Sequence, residues 1–204
     1  SGHSAPGAFR RQPWFDCACC PTNVVRVLAS IGKYICSVGP DRLAVHLYDQ
    51  SRIEADVRGT HVNVHVRTEY PWRDRVRLRL ELDEPATFDL ALRVPGWCDG
   101  AALKVNGDAA ALEKIIEKGY VHVRRTWRTG DRVELHLPMP PRRIEARPEV
   151  RYNAGRVALQ RGPVVYCLEQ IDNGEYLDEI ALPREAKLTA THKADLLGGV
   201  TVIT

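Results

Sequence analysis

The stretch RVRLRLELD, residues 75–83, alternates charged and apolar side chains along its whole length. Val76, Leu78, Leu80 and Leu82 fall on one side of an extended backbone and the charged residues on the other, because successive side chains of a strand point to opposite faces. An amphipathic helix would instead need its apolar residues at spacings of three and four. The stretch therefore predicts a β-strand with one face in a core and the other in water.

The same period of two recurs on both sides of this strand. Turn signals rich in Gly, Pro, Asn and Asp separate the alternating runs, and the clearest are NGD at 106–108 and TGD at 129–131. Short strands at a spacing of roughly 10 to 14 residues are typical of an antiparallel β-sandwich. The predicted strands lie within RLAVHLYD (42–49), THVNVHVRTEY (60–70), RVRLRLELD (75–83), TFDLALRVP (87–95), AALKVNGD (101–108), GYVHVRRTW (119–127) and DRVELHLPMP (131–140).

The segment before residue 40 carries a helical period instead. It predicts one amphipathic helix of about 17 residues. Pro21 is expected at the first helical position with Cys20 as N-cap, and Gly39-Pro40 is expected to end the helix. The apolar residues that repeat at spacings of three and four are Val24, Val27, Leu28, Ile31 and Ile35.

A proline-rich segment divides the β region. LPMPPRRIEARP, residues 137–148, contains four prolines and fits a crossing between two β units better than a strand inside one. The residues after it are too few for a complete sandwich, which usually takes about 100. The predicted domains are 1–39, the end of a helical domain with a cysteine cluster; 40–139, a β-sandwich; and 140–204, a second, incomplete β-sandwich.

Composition excludes several classes of partner. The chain has 204 residues, 44% hydrophobic and 27% charged, which is typical of a globular protein with one large domain or two small ones. The formal net charge is +3, and the arginines alternate with apolar residues instead of clustering, which favours solvated strand faces over a nucleic-acid surface. No apolar stretch approaches the roughly 20 residues of a membrane span. We expect neither nucleic acid nor a membrane as partner.

The cysteines indicate a reducing compartment. Four of the six fall within the first 36 residues and the other two lie far apart in the β region, unlike the disulfide framework of a small secreted protein. We therefore expect reduced thiols and a cytoplasmic location. The six are Cys17, Cys19, Cys20, Cys36, Cys98 and Cys167.

Three of these thiols crowd the start of the predicted helix in WFDCACCPTNVV, residues 14–25. Thiolates are good zinc ligands, but zinc sites take four ligands and no second CxxC or HxxxH follows. Amide dipoles at a helix N-terminus also stabilise a thiolate, so Cys19 or Cys20 could act as a nucleophile. A third interpretation is that Cys17, Cys19 and Cys20 simply pack as small apolar side chains. Spacing alone leaves these interpretations open.

Two other groups of residues have both an ordinary and a functional interpretation. His61, Asn63 and His65 lie on one face of a predicted strand, where a solvated polar face is favoured over a metal site built on the two histidines. Trp72, Trp97 and Trp127 lie beside predicted turns, where packing at the edge of the core is favoured over stacking on sugar rings.

The segment WFDCACCPTNVVRVLASIGKYI, residues 14–35, resembles the signature of glycoside hydrolase family 127, the β-L-arabinofuranosidase family. The similarity continues in order through LAVHLY, YPW, LALRVPGWC, VNG, RTWRTGDRVELHLPMPPR and GRVALQRGPVVYCLE, and so covers nearly the whole chain. Such enzymes combine an (α/α)6 barrel with β-sandwich domains. The resemblance implies a mainly β chain in which antiparallel β-sandwiches follow one helix left over from that barrel.

The resemblance also implies roles for two cysteines. In this family an adjacent cysteine pair binds zinc and its first member attacks the anomeric carbon, so Cys19 would be nucleophile and zinc ligand and Cys20 a second ligand. The remaining ligands, a glutamate and a cysteine, and the general acid/base glutamate belong to the upstream barrel and match no position here. Cys17 receives no role.

The implied function is that of the C-terminal part of a retaining, zinc-dependent glycoside hydrolase acting on β-L-arabinofuranosides or related glycosides. The fragment would be inactive alone, because the N-terminal barrel is missing. The alternatives are a non-catalytic β-sandwich module, structural or carbohydrate-binding, and a small metal-binding interaction domain. The apolar stripe at residues 24–35 could drive self-association if it is exposed.

Overall fold

A computed structural model describes residues 18–112 and 116–204. Cys17 lies outside the described residues. The helices are α1 (Cys19–Ser30), α2 (Gly32–Ile35) and α3 (Gln170–Asn173). The strands are β1 (Cys36–Gly39), β2 (Arg42–Val45), β3 (Ser51–Val57), β4 (Thr60–Thr68), β5 (Arg75–Leu82), β6 (Ala86–Arg93), β7 (Ala102–Val105), β8 (Asp108–Ala110), β9 (Ile116–Glu117), β10 (Tyr120–Trp127), β11 (Arg132–His136), β12 (Pro141–Glu145), β13 (Val157–Arg161), β14 (Val164–Tyr166), β15 (Ala190–Lys193) and β16 (Val200–Ile203).

Two sheets form a β-sandwich. One has five strands in the order β1-β2-β6-β10-β9, and the other has six in the order β3-β4-β5-β11-β7-β8. Neighbouring strands are antiparallel except β2 and β6, which run parallel. The hydrophobic core draws on both sheets. The prediction of a mainly β, antiparallel sandwich preceded by a helix is confirmed.

The core positions follow from the alternation in the sequence. On β5, Val76, Leu78 and Leu80 are at most 2% exposed, while the arginines between them face solvent. At the centre lies Trp127, fully buried, whose indole N–H donates to the carbonyl of Phe88 at 3.2 Å. The ring of Phe88 packs on that indole with a centroid separation of 6.1 Å. Trp127 is therefore a core residue, as its ordinary interpretation predicts.

The first helix begins earlier than its sequence signals predict. Ala18 is the N-cap of α1, so Cys19 and Cys20 occupy the first two helical positions and Pro21 the third. A proline is tolerated anywhere in the first turn, because the N–H groups there have no partner within the helix. The prediction of Cys20 as N-cap is wrong by two residues.

The helical region also ends earlier, at Ile35 rather than at Gly39-Pro40. The next residues form β1, which pairs with β2 so that Cys36 lies opposite Val45. Gly39 and Pro40 lie at the turn between these strands. The helical period therefore runs directly into the first strand of the sandwich.

A smaller β unit follows the sandwich. Strands β12, β13 and β14 form a three-stranded sheet, and β15 and β16 a two-stranded one. Pro141 opens the edge strand β12, where a missing N–H is tolerated. Gly162, at the turn between β13 and β14, has φ +55°, so it supplies the left-handed conformation that a tight turn needs. In the described part of the chain, no helix is long and apolar enough to cross a membrane.

Candidate active site and metal ligands

The two adjacent cysteines lie side by side at the start of α1. Both side chains are exposed, and their sulfur atoms are 3.7 Å apart. In the first turn of a helix the free backbone N–H groups and the helix dipole favour a negative charge. The structure thus places Cys19 and Cys20 side by side in the first turn of α1.

Polar side chains one turn later fix the backbone beside these thiols. The hydroxyl of Thr22 donates to the carbonyl of Ala18 at 2.8 Å, and the side-chain amide of Asn23 donates to the carbonyl of Cys19 at 2.7 Å. Short polar side chains commonly make such local bonds to the backbone. The PTN sequence after the thiols therefore holds the turn that presents them.

The separation of the two sulfurs fits a shared zinc ion. Tetrahedral coordination with Zn–S bonds of about 2.3 Å puts two ligating sulfurs about 3.8 Å apart. Cys19 and Cys20 would supply two of the four ligands that zinc takes. Within residues 18–112 and 116–204, no group of three or more His, Cys, Asp or Glu side chains is placed to hold a metal ion.

The helix that carries the thiols is uncovered. None of the residues of α1 is buried, and the side chains of its apolar stripe are about half exposed or more: Val24 is 57%, Val27 54% and Leu28 64% exposed. An amphipathic helix is normally covered along its apolar stripe. Among the described residues, none covers the apolar stripe of α1.

The other described cysteines lie in the β region. Burial raises the pKa of the Cys98 thiol, which is 9% exposed, and also that of Cys36. Cys167 is exposed, beyond the end of β14. All five described cysteines are free. None of these three is placed with Cys19 and Cys20 as a third metal ligand.

The histidines of β4 bind neighbouring side chains. The Nε2 of His65 lies 3.1 Å from a carboxylate oxygen of Glu81, and His61 lies 3.5 Å from Asp56 across the strand pair. Both histidines are partly exposed. These contacts fit the solvated polar face that the sequence favours.

A buried carboxylate that sequence reasoning missed lies on β6. Asp89 is 3% exposed, and its Oδ2 accepts hydrogen bonds at 2.7 Å from Arg42 and at 2.7 Å from His122. Its Oδ1 has no partner among the described residues. Phe88 and Leu90, on either side of Asp89, face the core, so alternation puts Asp89 on the opposite face of β6. Its burial depends on which strands lie beside β6, and no local signal gives this.

The arginines on the outer face of the six-stranded sheet are arranged differently from what the sequence alone predicts. The sequence separates them by apolar residues, yet the register places Arg67 directly opposite Arg77, and Arg79 directly opposite Arg132. Residues two apart on one strand share a face, and strand pairing brings such rows together. The arginines therefore do cluster on the outer face of the six-stranded sheet.

Comparison with known proteins matches most of the chain to two family models. Residues 42–139 match the model of the β-L-arabinofuranosidase, GH127 middle domain. Residues 141–203 match the glycoside hydrolase family 127 C-terminal domain. The two matches adjoin at the proline-rich segment.

Similar proteins include a curated non-reducing end β-L-arabinofuranosidase of Bifidobacterium longum subsp. longum, 35% identical over 204 residues, which cover 95% of this chain and 30% of that protein. The crystal structure of a GH127 β-L-arabinofuranosidase from Geobacillus stearothermophilus T6 superposes with a TM-score of 0.91 at 51% identity, covering 95% of this chain and 30% of that one. A further solved GH127 β-arabinofuranosidase gives 0.87 at 35% identity, covering 95% of this chain and 33% of that one. The chain thus spans about a third of the length of these relatives.

Proposed function

The chain belongs to glycoside hydrolase family 127, as a C-terminal portion, and from this we propose that its parent protein is a retaining β-L-arabinofuranosidase in which Cys19 is the nucleophile. The substrates are β-L-arabinofuranosides or related glycosides. The observation that carries the proposal is the pair of exposed sulfurs 3.7 Å apart in the first turn of α1.

The reaction proceeds by two displacements. The sulfur of Cys19 attacks the anomeric carbon, a carbon–sulfur bond forms, and the bond to the leaving oxygen breaks as an acid from the upstream domain protonates that oxygen. In the second step the conjugate base of that acid takes a proton from a water molecule, the water oxygen attacks the same carbon, and the thiolate of Cys19 leaves. Two inversions at one carbon give net retention.

The chain's own contribution is to present and ionise the nucleophile. Cys19 and Cys20 would hold a zinc ion whose charge keeps the attacking sulfur deprotonated. The hydrogen bonds of Thr22 and Asn23 to the backbone orient the turn. The helix N-terminus adds a favourable field for the thiolate that leaves in the second step.

The rest of the site belongs to an N-terminal helical barrel. We expect this barrel to supply two further zinc ligands and the acid/base, and we therefore expect the 204-residue chain alone not to hydrolyse glycosides. The same barrel would cover the apolar stripe of α1. We propose the division into 1–39, 40–139 and 140–204, with β1 at the end of the first segment pairing with β2 of the sandwich. We also propose a cytoplasmic location in which the thiols stay reduced.

The first test uses the parent protein with its upstream domain in place. Cys19→Ala should abolish turnover of an aryl β-L-arabinofuranoside, because no other group can form the covalent intermediate. Cys20→Ala should lower both zinc content and turnover. Cys167→Ala is the matched control, since that thiol is exposed and far from α1 in sequence, and it should change neither.

A second readout needs no turnover. Zinc bound to the parent protein should protect Cys19 and Cys20 from alkylation and leave Cys167 reactive, as peptide mass spectrometry would show. Undiminished turnover in Cys19→Ala, or equal labelling of all three thiols with zinc present, would contradict the proposal. Absence of turnover in the intact parent would instead favour a non-catalytic β-sandwich module.

A further inference from the structure

The outer face of the six-stranded sheet carries two adjacent rows of mainly basic side chains. In the first row the register places Arg52, His65, Arg79 and Arg132 side by side across β3, β4, β5 and β11. In the second row it places Arg67, Arg77, Glu134 and Lys104 across β4, β5, β11 and β7. We call these eight residues the cationic belt.

The acidic side chains nearby neutralise only part of this charge. Glu134 binds Arg77 at 3.0 Å and Arg75, just beyond the belt, at 3.2 Å. Glu81 lies 3.1 Å from His65 and 3.5 Å from Arg79, and Glu54 lies 3.1 Å from Arg52. Among the described residues, those of the belt that form no ion pair are Arg67, Lys104 and Arg132.

This arrangement is unfavourable for the sheet by itself. Arg67 lies directly opposite Arg77, and Arg79 directly opposite Arg132. Like charges directly opposite each other on paired strands destabilise a sheet. An anionic ligand lying across the strands would attract both members of each pair and so offset their mutual repulsion.

The surface has a shape that suits a chain-like ligand. All members of the belt except Arg52 line an open concavity of about 680 Å³, whose wall includes Arg67, Lys104 and Arg132. Strands in a sheet are about 4.8 Å apart, and alternate residues on one strand about 6.8 Å, so the cations form a regular grid. A polymer with repeated negative charges can bind several of them at once.

The chemistry of the belt favours carboxylates. Arginine presents paired N–H donors that match the two oxygens of a carboxylate, and such bidentate bonds are stronger than neutral hydrogen bonds. Surfaces for single-stranded nucleic acid combine cations with aromatic side chains on which bases stack. The eight residues of the belt include no Phe, Tyr or Trp.

We propose that the cationic belt binds an acidic carbohydrate chain, one whose sugar units carry carboxylates. The choice of a carbohydrate rests on the proposed glycosidase function, whereas the choice of a polyanion rests on the belt alone. Binding here would hold the parent enzyme on a carbohydrate that contains uronic acids.

The test measures binding of polygalacturonate to the 204-residue chain by isothermal titration calorimetry at low and at moderate salt. The unmodified 204-residue chain should bind polygalacturonate, and its affinity should fall as the salt concentration rises, because the interaction is ionic. The double variant Arg67→Gln, Arg132→Gln should bind about tenfold more weakly, since it loses two charge-assisted contacts. The control double variant Lys187→Gln, Lys193→Gln removes the same charge from exposed sites outside the belt. It should bind as tightly as the unmodified chain does.

Each result decides the matter. A loss of affinity for polygalacturonate that is confined to the belt variant, with no binding of a neutral arabinan, supports the proposal. No binding of polygalacturonate, or equal loss in the control variant, overturns it. Equal or tighter binding of DNA with the same dependence on the belt also overturns it, because the surface would then recognise phosphates. The measurement involves no turnover, so a negative binding result would not contradict the glycosidase proposal. A negative activity test, in turn, would not contradict the binding of a polyanion to the belt.

Discussion

Glu134, the acidic member of the cationic belt, gives a pH-dependent prediction at the scale of one residue. The hydrogen bond from Arg77, with the charges of Arg75, Arg77 and Lys104, holds the pKa of Glu134 below its ordinary value. A depressed pKa stabilises the fold fully above the ordinary value of about 4.3 and loses that effect as pH falls through the folded-state value. Glu134→Gln should therefore lower the free energy of unfolding at pH 7, by less than about 1 kcal/mol at this partly exposed site.

The measurement is urea unfolding of both proteins at several pH values. The difference between them should shrink as pH falls below the ordinary glutamate pKa and disappear once Glu134 is protonated in the folded protein. Glu149→Gln is the control, because it removes a carboxylate for which no ion pair occurs among the described residues. A constant difference at every pH would contradict the ionic origin of the effect.

At the scale of the element, α1 predicts the association behaviour of the isolated chain. Its stripe is exposed and none of its residues is buried, so we propose that two chains bury these stripes against each other. Burying one leucine side chain stabilises a contact by about 1.5–3 kcal/mol. Leu28→Glu should therefore weaken self-association at least about tenfold, as sedimentation equilibrium would show. The melting temperature of the sandwich should stay unchanged.

Ala29→Glu is the matched control for this variant. Residue 29 is exposed and lies away from the apolar stripe on the helix, so the variant adds the same charge without touching the proposed contact. Equal weakening in both variants would indicate general charge repulsion. If the unmodified 204-residue chain remains monomeric at high concentration, the proposed association is wrong.

The elements also show which features local sequence determines. The period of two located β5 and its neighbours, because alternation maps directly onto the two faces of a strand. Strand β3 escaped prediction although Ile53 and Val57 are buried, because the small Ala55 between them leaves only two large apolar side chains. The end of the helical region was also predicted wrongly, because the pairing of β1 with β2 determines where the helix ends.

At the scale of the whole molecule, some features depend on pairing between segments that lie far apart in the sequence. The sequence places Cys19 and Cys20 together because they are adjacent, and this part of the candidate site needed no fold. The clustering of Arg67 with Arg77, and the burial of Asp89 beneath its partners, depend on register between strands far apart in the chain. Such features become visible only when the sheets are assembled.

The same scale governs how the last 65 residues are held. Among the described residues, the hydrophobic core includes none beyond Met139. The C-terminal unit meets the sandwich where Gly162 packs on Met139 and where Arg161 donates to the carbonyl of Trp72 at 3.3 Å. A unit with so little buried apolar surface depends on this junction for its order.

Gly162→Ala should therefore release the C-terminal unit and leave the sandwich folded. A Cβ at residue 162 would lie 2.7 Å from the Sδ and 2.9 Å from the Cγ of Met139, a core side chain that is 6% exposed, so this buried side chain would have to shift. Gly155→Ala is the matched control, since its φ of +76° imposes similar backbone strain but no atom lies within 4 Å of the new Cβ. Limited proteolysis should cut residues 141–204 several-fold faster in Gly162→Ala than in Gly155→Ala, because cleavage follows the population of the opened state. Equal rates would mean that the contact with Met139 does not hold the two units together.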